Sequence, residues 1–284
     1  MKSCHPLAGV VRWVNERTLY FRVRLVAPNA SGPDGEGWIR ADRLPERVPE
    51  LIDLLMRRSC EGHRTSAASF LATDVGRQVL CFASASAYLT GRAPELAPER
   101  LWVRPDENGR IVEAAVRQGT VGVLPGDPMG RRPGVVELPG DRELDEWVMA
   151  GAVAVLDPVV EAVRAATRFG ARAQWGVIAD APHSALLAAA EEVGADQAAA
   201  WDRAARMVRL LNRDRDRVAP RQRPFTVALA GRPAHRPERT FLVKGGCCFY
   251  YRFGGAYCGG CPLQSDEARE SLLRDRHEPA PVQA

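Results

Sequence analysis

Several features that would settle a function at once are missing from these 284 residues. There is no run of eighteen apolar residues, so no bilayer-spanning helix is expected. Hydrophobic content of 46% beside 26% charged describes a soluble globular chain, long enough to bury roughly 75% of its unfolded surface. The net charge is only +4, without the basic concentration of a nucleic-acid binder, so no nucleic-acid partner is expected. No Walker or Rossmann glycine loop is present, which removes support for nucleotide-dependent chemistry. His5, His63, His183, His235 and His277 fall at no metal-ligand spacing and read as surface or satisfied histidines. Ser66, Ser69 and Ser84 have no evident base, and Glu191-Glu192 are explained by their helix. No hydrolase constellation and no catalytic side chain are therefore expected.

The start, Met1 to Val10, carries Lys2, Cys4 and His5 and lacks the apolar core of a secretory signal, which predicts a cytoplasmic protein. In that reducing setting seven cysteines remain free for metal rather than pairing. Cys4, Cys60 and Cys81 are scattered and read as buried thiols. The other four, Cys247, Cys248, Cys258 and Cys261, fall within fifteen residues.

Four soft sulfur donors this close suit zinc or an iron-sulfur cluster. The Cys258-Gly259-Gly260-Cys261 turn lets two thiolates converge, with glycines permitting the tight path. Adjacent Cys247 and Cys248 point to opposite faces of an extended segment. They share one metal only through a bend, for which Gly245-Gly246 are candidates, or else bind different irons of a two-iron cluster. Zinc ribbons use two Cys-x-x-Cys knuckles, and only one is present here. Phe249, Tyr250, Tyr251, Phe253 and Tyr257 crowd the motif and read as packing that keeps water from the sulfurs.

Along the chain, Leu19, Phe21, Val23 and Leu25 alternate as in a strand, and Ser31 to Gly37 is a loop. Short helix is expected from Val48 to Arg58, and a long helix from Ser66 to Thr90 with Gly91 as cap. Leu101 to Val116 reads as a hairpin turning at Glu107-Asn108-Gly109. Val121 to Gly140 reads as loop with short strand. Three helices follow: one from Asp157-Pro158 to Gly170, one from Pro182 to Gly194, and one capped by Asp196 that runs to about Asn212. In the last, Trp201, Ala204, Val208 and Leu211 form the buried stripe, and Arg206, Arg209 and Arg213 an outer one that reads as a solvated face. Asp214 to Pro224 looks like a linker, and Phe225 to Ala230 and Thr240 to Val243 like strands.

Cys-Cys-Phe-Tyr-Tyr-Arg followed by Cys-Gly-Gly-Cys-Pro-Leu resembles the C-terminal signature of the FhuF-like ferric-siderophore reductases. Tyr251 and Arg252 match the aromatic-basic pair after the double cysteine, and Pro262-Leu263 the closing dipeptide. Gln174-Trp175-Gly176 resembles the family's Trp-Gly segment. Two departures stand: nine residues separate the cysteine pairs where ten is usual, and Lys244-Gly245-Gly246 replaces an Arg-rich approach. The resemblance implies that Cys247, Cys248, Cys258 and Cys261 bind a [2Fe-2S] cluster, and that the fold is related to one portion of the siderophore synthetases. It implies an oxidoreductase passing one electron to chelated Fe(III), with a ferric siderophore of hydroxamate type as substrate and a ferredoxin or flavoprotein as donor. Lys244, Arg252 and Tyr251 are candidate substrate contacts.

The expected architecture is α+β: a helical core with small antiparallel sheets or hairpins and a C-terminal iron-sulfur-binding segment. Its parts are an N-terminal α/β region (1–65), a mainly helical FhuF-like core (66–213), the cluster-binding region (225–265), and a helix end with a disordered tail (266–284). Two other readings are a zinc-stabilised protein- or RNA-binding module and a siderophore-biosynthetic enzyme.

Overall fold

Between residues 64 and 90, alanine, serine and glycine alternate with larger apolar residues on every face, and the helix they form is buried on nearly all sides. It is the hub of a computed structural model that describes residues 5–17 and 21–278. Cys4, Leu19 of the expected strand, and the tail 279–284 lie outside the described residues.

In chain order the elements are α1 (Ala8–Glu16), β1 (Val23–Val26), β2 (Ile39–Arg40), α2 (Leu44–Ser59) and the hub α3 (Arg64–Thr90). Then come β3 (Arg92–Pro94), β4 (Leu101–Pro105), β5 (Ile111–Arg117), β6 (Val121–Val123) and β7 (Val135–Glu137). Four helices follow: α4 (Asp141–Ala166), α5 (Ala171–Ile178), α6 (Asp180–Val193) and α7 (Gln197–Leu210). The chain ends with β8 (Arg223–Ala228), β9 (Glu238–Val243) and α8 (Asp266–His277). The fold is α+β. No helix among the described residues is long and apolar enough to cross a membrane.

Helices α1, α2, α4, α5 and α6 all pack on α3, and small residues let them come close. A Cβ on Gly76 would stand 3.2 Å from the Ile178 Cα, so glycine there admits α5. Capping follows the expected chemistry. Gly91 (φ +63°) and Gly194 (φ +72°) end α3 and α6 in the left-handed region, and Asp196 accepts the Ala198 amide at 2.8 Å to start α7.

The strands form a four-stranded sheet (β1-β5-β4-β2), a three-stranded sheet (β3-β6-β7) and a β8-β9 hairpin. The β4-β5 hairpin turns where expected, with Gly109 at φ +83°. Two pairings, β1 with β5 and β6 with β7, are parallel, and the first joins segments about ninety residues apart, so hairpin reasoning reaches neither.

Three expectations are corrected. Asp157-Pro158 does not start a helix: α4 runs through Pro158, because Leu144, Val148, Val155, Val159 and Val163 continue one buried stripe across it. Asp157 is instead an ion-pair partner of Arg215 and Arg217. The segment 214–224 is no free linker, since buried Arg217 ties it to Asp157 at 2.7 Å and to Asp214. Trp201 is only half-buried and stacks on His183, ring centroids 4.0 Å apart. Helix α1 had no expectation attached to it. The outer arginine stripe is exposed, as expected: Arg206, Arg209 and Arg213 line a groove with Asp141 and Glu146, and Arg213 pairs with Glu146 at 2.9 Å.

Candidate metal centre

Strand β9 delivers the chain to Lys244, whose amide donates to the Gly260 carbonyl at 2.9 Å, fastening the second cysteine pair against the first. The Cys261 amide donates to the Cys258 carbonyl at 2.8 Å and closes the tight turn. Gly260 is required there, because a Cβ would fall 2.7 Å from the Leu242 carbonyl oxygen.

Gly245 and Gly246 thread between β9 and the α5–α6 junction. A Cβ on Gly246 would collide with Val177 Cγ1 and sit 3.1 Å from the Val177 amide nitrogen, and one on Gly245 would collide with Gln222. Buried Asp180 accepts the Gly245 amide and the Gln222 side-chain amide, both at 2.8 Å. Burial pushes the Asp180 carboxyl up to about 6, against the pull of those two donors and of Lys244.

The chain bends at Gly245-Gly246, as expected, and turns a second time just after the double cysteine. Phe249 adopts φ +58°, a left-handed conformation costing on the order of 1 kcal/mol for a non-glycine residue. Packing holds it: its ring meets Phe169 edge-on at 6.2 Å, and its carbonyl accepts the Arg252 amide at 3.0 Å. The first turns of α3 hold the same backbone, with Ser69 Oγ donating to the Cys247 carbonyl at 3.2 Å and Ser66 Oγ reaching the Phe249 carbonyl at 3.5 Å. Ser66 Oγ also lies 2.6 Å from His63 Nδ1, a partner the sequence did not reveal.

These constraints bring Cys247, Cys248, Cys258 and Cys261 to the wall of one cavity of about 460 Å³, together with Lys244 and Tyr251. Arg252 is not in that wall; its guanidinium lies 5.4 Å from the Phe249 ring centroid and 3.3 Å from the Tyr251 hydroxyl. The Cys247 sulfur accepts the Phe249 amide at 3.3 Å. Burial raises the Cys247 and Cys261 thiols. Burial works to lower the Lys244 ammonium, but Cys258, Asp180 and Cys248 outweigh it and raise it. Among the described residues, no set of three or more His, Cys, Asp or Glu stands in a metal-ligating arrangement. The donor chemistry still fits a group held through sulfur. The wall carries four thiols and the cations Lys244 and Arg110, with no carboxylate or imidazole among its described residues. A net-negative cluster of thiolates suits that balance.

Sequence reasoning missed Arg110, Asp180, Gln222 and Arg269. Arg110 comes from the β4-β5 turn, pairs with buried Asp74 at 2.6 Å and lies 4.5 Å from the Phe70 ring centroid. Arg269 of α8 is buried and donates to the Cys261 carbonyl at 2.7 Å and the Gln264 carbonyl at 3.0 Å. Arg110, Asp180 and Gln222 act across the tertiary fold, so nothing local marks them, whereas Arg269 reaches back only eight residues to the motif. Gly255 in the spacer between the cysteine pairs is glycine because a Cβ would strike the Tyr250 ring. Cys60 and Cys81 are buried, as expected.

No protein-family model matches the chain. No curated protein matches it in sequence. Among solved structures it is similar to ATP-bound aerobactin synthetase IucA from a hypervirulent pathotype of Klebsiella pneumoniae, with a TM-score of 0.41 and 13% identity. That match covers 59% of this chain and 29% of the synthetase, so the chain spans under a third of that enzyme's length. The FhuF-like resemblance therefore stands on the motif residues.

Proposed function

We propose that this chain is a ferric-siderophore reductase of the FhuF-like kind, an oxidoreductase that holds a [2Fe-2S] cluster through Cys247, Cys248, Cys258 and Cys261. The observation that carries this reading is the meeting of all four motif thiols, and of no other metal-ligating side chain among the described residues, at one cavity. When bound, such a cluster supplies one-electron redox chemistry. The overall conversion adds one electron, from a ferredoxin or flavoprotein donor, to siderophore-bound Fe(III) and releases Fe(II), for which hard oxygen donors have lower affinity.

The chain's own residues support that task. The Phe249 amide stabilises negative charge on the Cys247 sulfur, and the Leu263 amide does the same for Cys261. Lys244 and Arg110 bring positive charge to the same wall. Tyr250, Tyr251 and Tyr257 cover the cavity and limit water, while leaving Tyr250 and Tyr257 partly exposed on the side where a partner can approach.

The test is preparation without oxygen, followed by iron and acid-labile sulfide analysis and mixing of the reduced protein with a ferric siderophore. Expected are a coloured protein with equal iron and sulfide, loss of that colour in each single Cys→Ser variant, and Fe(II) trapped as the reduced protein reoxidises. A colourless protein retaining zinc would instead mean a structural, non-redox segment.

A further inference from the structure

A second cavity, of about 380 Å³, abuts the cysteine cavity, and Lys244 and Cys258 line both. Its walls are α3, α6 and β9. Its size is that of a small-molecule site. Three cations face it: Arg77 from α3, Arg239 from β9, and Lys244. Against them stands one carboxylate, Asp180, already engaged by Gly245 and Gln222. The cations are weakly matched within the protein. Arg77 reaches Asp74 only at 3.4 Å, and Asp74 is taken at 2.6 Å by Arg110. Arg239 lies 5.0 Å from the Phe241 ring centroid, and no described carboxylate is within ion-pair distance of Arg239 or Lys244. Apolar side chains such as Phe21, Val177 and Leu242 complete the wall, and in such surroundings unneutralised charge attracts counter-charge strongly.

We propose that this cavity binds the metal chelate, and that it selects ferric chelates of net negative charge, the class formed by catecholate or hydroxycarboxylate donors, through Arg77, Arg239 and Lys244. The assignment rests on the reductase reading of the adjoining cysteines. Three dianionic catecholates around a trivalent metal leave three negative charges, whereas three hydroxamates leave none. A neutral hydroxamate core would leave these cations without a partner, so charge sorts the substrates. A chelate held here touches Cys258, which places the acceptor against the proposed electron-transfer site without a further carrier.

Gallium(III) chelates test binding without electron transfer, because gallium(III) is not reduced under these conditions. Equilibrium dialysis of the full chain, prepared without oxygen, would use a tripodal tris-catecholate gallium(III) complex, its tris-hydroxamate analogue on the same scaffold, and gallium(III) citrate. At least one anionic chelate should bind about tenfold or more tightly than the hydroxamate, and Arg239→Gln and Arg77→Gln should each weaken it about tenfold. Neither variant should change the visible spectrum or the weak hydroxamate binding. Equal affinity for all three chelates, or anionic binding indifferent to both substitutions, overturns the assignment. Binding that follows the expected pattern without reduction of the corresponding ferric chelate would remove the reductase reading and leave the cavity assigned. Reduction of ferric chelates undiminished in variants that no longer bind the anionic probe would do the reverse.

Discussion

Asp180 accepts the backbone amide of Gly245 at 2.8 Å, so the first residue of α6 holds the approach to the double cysteine. Burial lifts this carboxyl to about 6, above its ordinary 3.8. A group whose pKa is higher folded than unfolded takes up its proton first in the folded state. Its stabilising contribution is full below about pH 4 and is lost as pH rises through about 6. The difference corresponds to on the order of 3 kcal/mol. Asp180→Asn keeps an oxygen for Gly245 and Gln222 but carries no charge. In urea unfolding it should exceed the wild type in stability at pH 7.5 and lose that advantage near pH 4. A difference that stays constant across this range would contradict the account.

The parts of the fold legible beforehand are those specified locally. Gly91, Gly194 and Asp196 mark helix ends through backbone conformation and capping, and Asn108-Gly109 marks its turn, so α3, α6, α7 and the β4-β5 hairpin follow from short windows. The four cysteines are legible for the same reason, lying in one short stretch. What was hidden depends on distant chain. Pro158 looks like a helix start until α4 is seen to bury a stripe on both sides of it. The bend at Phe249 is held by α3 and Phe169, and Arg110 enters the cysteine cavity from a turn on another sheet. No periodicity or spacing encodes such meetings.

Gly246 should tolerate no side chain while Val177 is present. Alanine there would collide with Val177 Cγ1 and press on its amide, and relief requires the double cysteine to shift. Gly246→Ala should reduce iron retention after anaerobic reconstitution severalfold, with helical content unchanged by circular dichroism. Val177→Ala in the same chain removes the colliding methyl and should restore part of the loss. Absence of any rescue would place the defect in backbone strain rather than in this contact.

Arg269 anchors the closing end of the motif from α8. Replacing it with Met takes the donor from the half-buried Gln264 carbonyl and leaves the Cys261 carbonyl only the Gln264 amide at 3.3 Å, and acceptors stripped of a partner cost about 1–3 kcal/mol each. Arg269→Met should therefore destabilise by roughly 3 kcal/mol in urea titration. Because Arg269 also lies 5.2 Å from the Phe225 ring centroid, Arg269→Lys should recover little: an ammonium cannot span two carbonyls and a ring face as the planar guanidinium does. Full recovery by Lys would reduce the role of Arg269 to its charge.

Arg110 and Asp74 form an ion pair at the edge of the cysteine cavity, and the two partners should behave unequally when cut. Asp74 is 1% exposed, so Arg110→Met leaves a buried carboxylate with only the 3.4 Å contact to Arg77. Breaking a buried pair from one side costs about 3–5 kcal/mol, whereas removing both charges is often near neutral. Arg110→Met should accordingly lose several kcal/mol, and Asp74→Asn added to it should return most of that stability. The double variant also separates fold from function: its cysteine cavity lacks one of its two cations, so it should fold normally yet hold a thiolate-bound cluster at a lower reduction potential. A double variant as unstable as Arg110→Met alone would mean that Arg110 packs the β4-β5 turn against Phe70 rather than neutralising Asp74.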